Sequence, residues 1–323
     1  MTSFIPDRRE TLKTIAALAG AGSGLSAAGC ASQPVQAPVQ VKWSQGTELP
    51  ATRVPPNATD CHHHIYDSRF PWAPEATLKP GDATVADYRQ LQQRIGTSRN
   101  IIVQPSSYGI DNRLLLEAIA QFGGKARGVA VVNTSVTDAQ LKQLHDGGVR
   151  GIRFNLAPPG TTTLDMVRPL AARVAPLGWH VQVNAPANFM LDARETWANL
   201  PCPVVFDHLG RVPQPGAAQH PGFLMVRELL QRGKAYVKLS GFYLDSKVGA
   251  PTYADSVQQA GVYAKEAPDR VLWGSDWPHP TEQPINRVPN DAVLLDRLSE
   301  AVPDEAARKR ILVDNPAKLY QFS

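Results

Sequence analysis

Cysteine is scarce in this 323-residue chain: Cys30, Cys61 and Cys202 are the three present, too few for a disulfide framework. Charge of one sign is scarce as well. Lys and Arg number 33 against 29 Asp and Glu, a formal charge of +4. No run of five basic residues occurs, and no basic stripe is interleaved with aromatics, so nucleic acid is not expected as a partner. No internal repeat at a period of about 20–50 residues is visible, which argues against a solenoid or propeller. What is there is a globular composition, 43% hydrophobic and 19% charged, which excludes global disorder. The length suits one large α/β unit or two ordinary domains.

The N-terminus reads as an address. Arg8-Arg9 precede a small, Ala/Gly-rich, weakly apolar stretch from residue 15 to 29, which resembles a twin-arginine export signal. That stretch is too short and too rich in Gly for a stable membrane span. Ala27-Ala28-Gly29-Cys30 resembles a lipoprotein cleavage box, although Leu is usual where Ala27 stands. The expectation is a periplasmic protein with a signal over residues 1–30, and a lipid on Cys30 would be its one link to a membrane. Residues 31–57 are rich in Pro, Gln and Ala and read as a tether or wrapping arm.

From residue 58 onward, strand and helix patterns alternate. Short β-branched runs predict strands at 59–65, 100–104, 128–132, 151–155, 180–184, 204–207, 235–239 and 271–274. Amphipathic stretches predict helices at 112–122, 138–145, 164–175, 192–198, 222–231, 254–264, 291–301 and 304–320. Eight strands with intervening helices predict one (β/α)8 TIM barrel over residues 58–323. A doubly wound sheet fits less well, because no Gly-rich dinucleotide turn follows the first strand.

The unusual polar residues fall at the C-terminal strand ends, where such barrels keep their chemistry. Strand one ends in Asp60-Cys61-His62-His63-His64 and strand two in Gln104-Pro105-Ser106-Ser107-Tyr108. Strand four carries Arg153 and Asn155, and strand five carries Gln182 and Asn184. Strand six ends Asp207-His208-Leu209-Gly210-Arg211, and strand eight ends Gly274-Ser275-Asp276-Trp277-Pro278-His279. Strand alternation puts His62 and His64 on one side, with Cys61 and His63 facing away. His180 starts its strand, at the wrong end for catalysis. A carboxylate at one strand end, facing three imidazoles across the mouth, supplies what ester hydrolysis needs: a proton acceptor for water and donors around a developing oxyanion.

The three segments around His62, His208 and Asp276 together resemble the amidohydrolase superfamily. The similarity is greatest to its lactonase branch, which includes 2-pyrone-4,6-dicarboxylate and 4-sulfomuconolactone hydrolases. Phe70-Pro71-Trp72 and Gln104-Pro105-Ser106 also fit that branch. The resemblance implies a hydrolytic site in which Asp276 activates water and His62, His64 and His208 surround the scissile carbonyl. It implies two routes. In one, a single Zn2+ sits on His62, His64, Asp276 and His208; in the other, which is favoured, the histidines act as donors without metal. A binuclear site is not expected, since strand four lacks lysine. A zinc-dependent decarboxylase of a small aromatic or unsaturated acid is the alternative activity.

Arg153 and Arg211 match the branch's substrate-carboxylate arginines, and a guanidinium fork suits carboxylate or sulfonate oxygens. Ser106, Tyr108 and Asn155 are further candidate substrate contacts. The branch places further arginines where this chain has Ala157-Pro158-Pro159-Gly160 and Ser240-Gly241-Phe242-Tyr243-Leu244, and a tyrosine where Leu78 stands. Fewer cations weaken dianion binding. The expected substrate is therefore a small anionic lactone of muconolactone or sulfomuconolactone type, in preference to the pyrone dicarboxylate. A monomer or small homo-oligomer is expected.

Overall fold

A computed structural model describes residue 1, residues 40–156 and residues 161–322. The export signal, Cys30 and the segment 157–160 lie outside the described residues. The fold belongs to the compact unit Pro38–Ser323.

Eight strands follow in chain order: β1 Thr59–His63, β2 Arg99–Val103, β3 Ala126–Ala130, β4 Val149–Asn155, β5 His180–Asn184, β6 Val204–Phe206, β7 Ala235–Leu239 and β8 Val271–Trp273. Each pairs in parallel with the next, giving the spatial order β1 to β8. This is the ladder of a TIM barrel, as the alternating pattern predicts. The β8–β1 seam is closed by loop-end hydrogen bonds: Asp276 N–H donates to His62 O at 2.7 Å, and His64 N–H to Trp277 O at 2.8 Å. Asp60 locks the seam from outside, its carboxylate accepting from Ser275 N–H (3.0 Å), Ser275 Oγ (2.6 Å) and Tyr88 OH (3.0 Å). Gly274 permits the approach, because a Cβ there would lie 2.6 Å from His62 Cβ.

Twelve α-helical segments are described. They are α1 Val85–Ile95, α2 Arg113–Gln121, α3 Asp138–Asp146, α4 Val167–Val174, α5 Ala187–Asp192, α6 Arg194–Ala198, α7 Pro221–Gln231, α8 Phe242–Asp245, α9 Ala254–Glu266, α10 Asp291–Ala301, α11 Glu305–Lys309 and α12 Asn315–Tyr320. Among the described residues, no helix is long and apolar enough to cross a membrane. The sequence pattern predicts no helix at α1, yet Thr84 and Asp87 form a reciprocal capping box and Val85, Tyr88, Leu91 and Ile95 make one buried face. The single helix expected at 304–320 is α11 and α12 joined by a π turn, Arg310–Asp314. Pro316 has no N–H to continue a regular α ladder at that point.

Strand β1 departs from simple alternation. Asp60 pairs with Asn100 and His63 with Ile102, so β1 spends one extra residue against β2, a β-bulge. Asp60 and His63 both face the helices, where His63 stacks on Tyr88 with ring centroids 3.5 Å apart. Cys61 and His62 consequently both turn inward. Cys61 packs in the barrel interior with Ile101, Val103, Val129, Val205, Tyr236 and Leu272, which corrects the expectation that it faces away from His62.

Residues 40–57 lie along the barrel between α1 and α10. Trp277 Nε1 donates to Lys42 O (2.7 Å) and Trp43 Nε1 to Asp82 O (2.8 Å). Arg94 of α1, 2% exposed, donates to Glu48 O, Gln45 O, Ser44 Oγ and Asn290 Oδ1.

Candidate active site

Three imidazoles converge on one carboxylate oxygen at the C-terminal end of the barrel. From Asp276 Oδ1, His62 Nε2 is 3.5 Å away, His64 Nε2 is 3.6 Å and His208 Nε2 is 3.9 Å. These come from β1, the residue following it, the turn after β6 and the turn after β8, so strands far apart in sequence build one site. The far nitrogens are anchored. His64 Nδ1 lies 2.8 Å from Val103 O, and His208 Nδ1 lies 2.9 Å from Ser240 Oγ. Asp276 has φ +65° and His208 φ +48°, left-handed conformations that non-glycine residues rarely adopt and that cluster at functional sites.

Beneath the imidazoles lies a buried layer of charge. Asp207 accepts from Arg153 Nε (3.1 Å) and Gln182 Nε2 (3.1 Å), and His62 Nδ1 is 3.2 Å from its other oxygen. Lys238 Nζ donates to Gln182 Oε1 at 2.7 Å, and sits 3.3 Å from His62 Nδ1 and 3.7 Å from Asp207. Lys238 and Asp207 were not among the sequence-derived site residues. The signal for Lys238 was present, however, as a lysine inside the apolar run Ala235-Tyr236-Val237-Lys238-Leu239.

Burial sets the protonation states. It pushes His62 and His208 below the ordinary imidazole value, against the pull of Asp207 and Asp276. Burial also brings Lys238 down to about 8, opposed by Asp207. For Asp276 burial works upward, but the surrounding imidazoles outweigh it and hold the carboxyl well below its usual range. Asp207 behaves likewise, held down by His62, Lys238 and Arg153 against its burial. The site thus offers an ionised acceptor ringed by polar rings.

Above the imidazoles a cavity of about 190 Å³ opens, lined by His64, Tyr66, Ser106, Arg153, Asn155, His208, Arg211 and Asp276 among others. That volume is small beside the roughly 300–1,000 Å³ of pockets for drug-sized ligands. Asn155 bridges Asn184 and Ser106, accepting from the first at 2.9 Å and donating to the second at 3.2 Å. Arg211 is paired with Asp245 at 2.8 Å. Tyr108 lies elsewhere. Its hydroxyl takes the Asp67 N–H and gives to the Asp67 carbonyl, its ring stacks on Trp72, and it is absent from the cavity wall. Nor does His180 reach the cavity: it is buried against Tyr320 at the opposite end of its strand.

The same donors can hold a metal ion. One potential ligand atom each from His62, His64 and Asp276 lies within 4.8 Å of the others, and His62 Nε2 is buried without a hydrogen-bond partner. A tetrahedral zinc with bonds of about 2.0–2.2 Å needs ligand atoms roughly 3.5 Å apart, so the set fits. Gln182 is not available to add a ligand, since Asp207 and Lys238 occupy both ends of its amide.

Comparison with known proteins agrees with this geometry. The amidohydrolase family description matches residues 59–322. The chain belongs to the amidohydrolase family. A 2-pyrone-4,6-dicarboxylate hydrolase of Comamonas testosteroni is 36% identical over 301 residues, covering 90% of this chain and 98% of that one. A 4-sulfomuconolactone hydrolase of Rhizobium radiobacter is 32% identical, covering 83% and 91%. An apo crystal structure from Agrobacterium tumefaciens superposes with a TM-score of 0.81 at 31% identity, covering 87% and 99%. These relatives put the present amidohydrolase in the lactonase branch.

Proposed function

We propose that this amidohydrolase opens a small anionic lactone, of muconolactone or sulfomuconolactone type, by attack of water activated by Asp276. The observation that carries the reading is the convergence of three imidazoles on Asp276 Oδ1 at the foot of a small cavity that also holds Arg153 and Arg211. Water attacks the ring carbonyl while its proton passes to Asp276. Charge developing on the carbonyl oxygen is met in the cavity wall by His208, whose Nε2 carries the hydrogen when Nδ1 accepts from Ser240 Oγ. The ring C–O bond then breaks, and the proton returns from Asp276 to the leaving alkoxide, giving a hydroxy acid.

Arg153 and Arg211 orient the substrate's carboxylate or sulfonate. Both are partly spent on protein carboxylates, Arg153 through Nε on Asp207 and Arg211 on Asp245. That supports a substrate with one carboxylate to satisfy, as in a simple muconolactone, over a planar dicarboxylate. A zinc ion held by His62, His64 and Asp276, with His208 beside them, would polarise the carbonyl and acidify the water. The occupied amide of Gln182 weighs against the fuller ligand set of a zinc decarboxylase. The reading also includes export through Arg8-Arg9 with lipid on Cys30, to be checked by the mass and fractionation of the mature chain.

The deciding experiment assays a lactone panel, with Asp276→Asn beside the parent, before and after chelation. Asp276→Asn is expected to lower kcat by about 10²–10⁴-fold, the range of general-base catalysis, while ligand affinity is retained. Activity that survives chelation supports the donor-only route. Stoichiometric zinc with no lactone turnover would sink the hydrolase reading in favour of decarboxylation.

A further inference from the structure

We propose that Tyr243, His279 and Asp291 form a hydrogen-bonded brace that fixes the Asp276 carboxylate, committing Oδ2 to the protein and leaving Oδ1 for the reacting water. The inference rests on Asp276 being the base. Asp276 sits in a turn beyond β8 with φ +65°, so no regular element orients its side chain. Something else must. Tyr243 OH donates to Asp276 Oδ2 at 2.6 Å, while the three imidazoles all face Oδ1.

The phenol is itself held. His279 Nδ1 lies 3.1 Å from Tyr243 OH, with the rings edge to face at 78°. His279 Nε2 lies 3.2 Å from Asp291 Oδ2, and both side chains are fully buried. Asp291 opens α10, and its N–H donates to Ser44 Oγ. The chain therefore runs from the site to the face covered by residues 40–57. Hydrogen counting gives it a direction. Tyr243 has one hydrogen; spent on Asp276, it leaves the phenol oxygen to accept from His279 Nδ1–H. One further hydrogen is then shared between His279 Nε2 and Asp291. A hydrogen bond polarised from behind in this way is stronger than an isolated one.

Tyr243 is absent from the cavity lining, whereas Asp276 is part of it. The brace thus acts on turnover through Asp276 and leaves substrate contacts alone, which makes Tyr243, His279 and Asp291 positioning residues. During hydrolysis the proton enters and leaves by Oδ1, and Tyr243 keeps its hydrogen throughout. A carboxylate without the brace could rotate and present either oxygen, losing the near-attack geometry.

The test compares Tyr243→Phe, His279→Gln, His279→Ala and Asp276→Asn in the full chain. It reads kcat and KM on a sulfo- or carboxy-substituted muconolactone, together with the thermal midpoint. Tyr243→Phe is expected to lower kcat about 10- to 100-fold, the loss of one hydrogen bond to a charged group. KM should stay within about twofold, because ground-state binding is untouched. His279→Gln, which still offers an N–H to the phenol, should retain more kcat than His279→Ala. Parental kcat in Tyr243→Phe, or an effect confined to KM, overturns the brace. If Tyr243→Phe does not fold, the His279 pair decides, and equal kcat for Gln and Ala overturns it. Parental turnover in Asp276→Asn would instead overturn the assignment of the base, a separate failure.

Discussion

The floor and the mouth of this cavity are built on opposite terms. On the floor, Asp207, Lys238, Arg153, Gln182 and His62 pair with one another inside the barrel, with both Asp207 and Lys238 side chains at 0% exposure. At the mouth, Arg211 and Asp245 face each other with about a quarter of each side chain exposed, and Glu75 meets Thr161. Buried charges must be fully paired to be tolerated, whereas a pair open to water contributes little to stability. The floor is therefore expected to fix the reaction and the fold together. The mouth is free to choose the substrate.

The most severe way to break that contrast is Asp207→Asn. It leaves Arg153 and Lys238 without their shared carboxylate and is expected to cost about 3–5 kcal/mol, the loss seen when one partner of a buried pair is removed. Urea unfolding reads this directly. A cost within the range of exposed pairs would show that the floor relaxes as easily as the mouth.

A second prediction probes the bottom of the same barrel. Burial pushes His180 down to about 3, with the charge of Lys238 adding to it. Between the ordinary value of 6.5 and about 3, the unfolded chain binds a proton that the fold refuses. The associated stability is present above pH 6.5 and is lost as pH falls toward 3. From pH 6.5 to 4.5 the parent should lose about 2–3 kcal/mol more than His180→Phe, because a difference of nearly one bound proton is worth about 1.4 kcal/mol per pH unit over most of that window. Parallel slopes would show that water reaches this end of the barrel.

The mildest prediction concerns the mouth. Arg211→Gln should raise KM about tenfold with kcat within about threefold and an unchanged unfolding midpoint, the signature of lost uniform binding. A fall in kcat alone would join Arg211 to the floor and erase the distinction.

How much of this was legible in the sequence depended on range. Strand alternation and the His62, His208 and Asp276 segments were readable because each signal is local. The bulge in β1 was not. It arises from register against β2, so simple alternation sent Cys61 the wrong way. Tyr243 stood in view where the branch carries arginine, yet its contact with Asp276 joins residues 33 positions apart. Helix α1 was missed for another reason. Its capping box uses Asp in place of the usual Glu or Gln, and its mean hydropathy is low, with Tyr88 and Leu91 embedded among Arg89, Gln90, Gln92 and Gln93.

The segment ahead of β1 carries a consequence for where this protein's boundaries lie. The family description matches from residue 59, whereas the Comamonas testosteroni relative matches 90% of the chain and so reaches back through residues 40–57. The guanidinium of Arg94, however, spends three of its four described hydrogen bonds on Ser44, Gln45 and Glu48. A chain shortened to residues 59–322 would keep that cation in the wall of the barrel and take away most of what answers it. The unit that folds is thus longer than the segment that the family description spans.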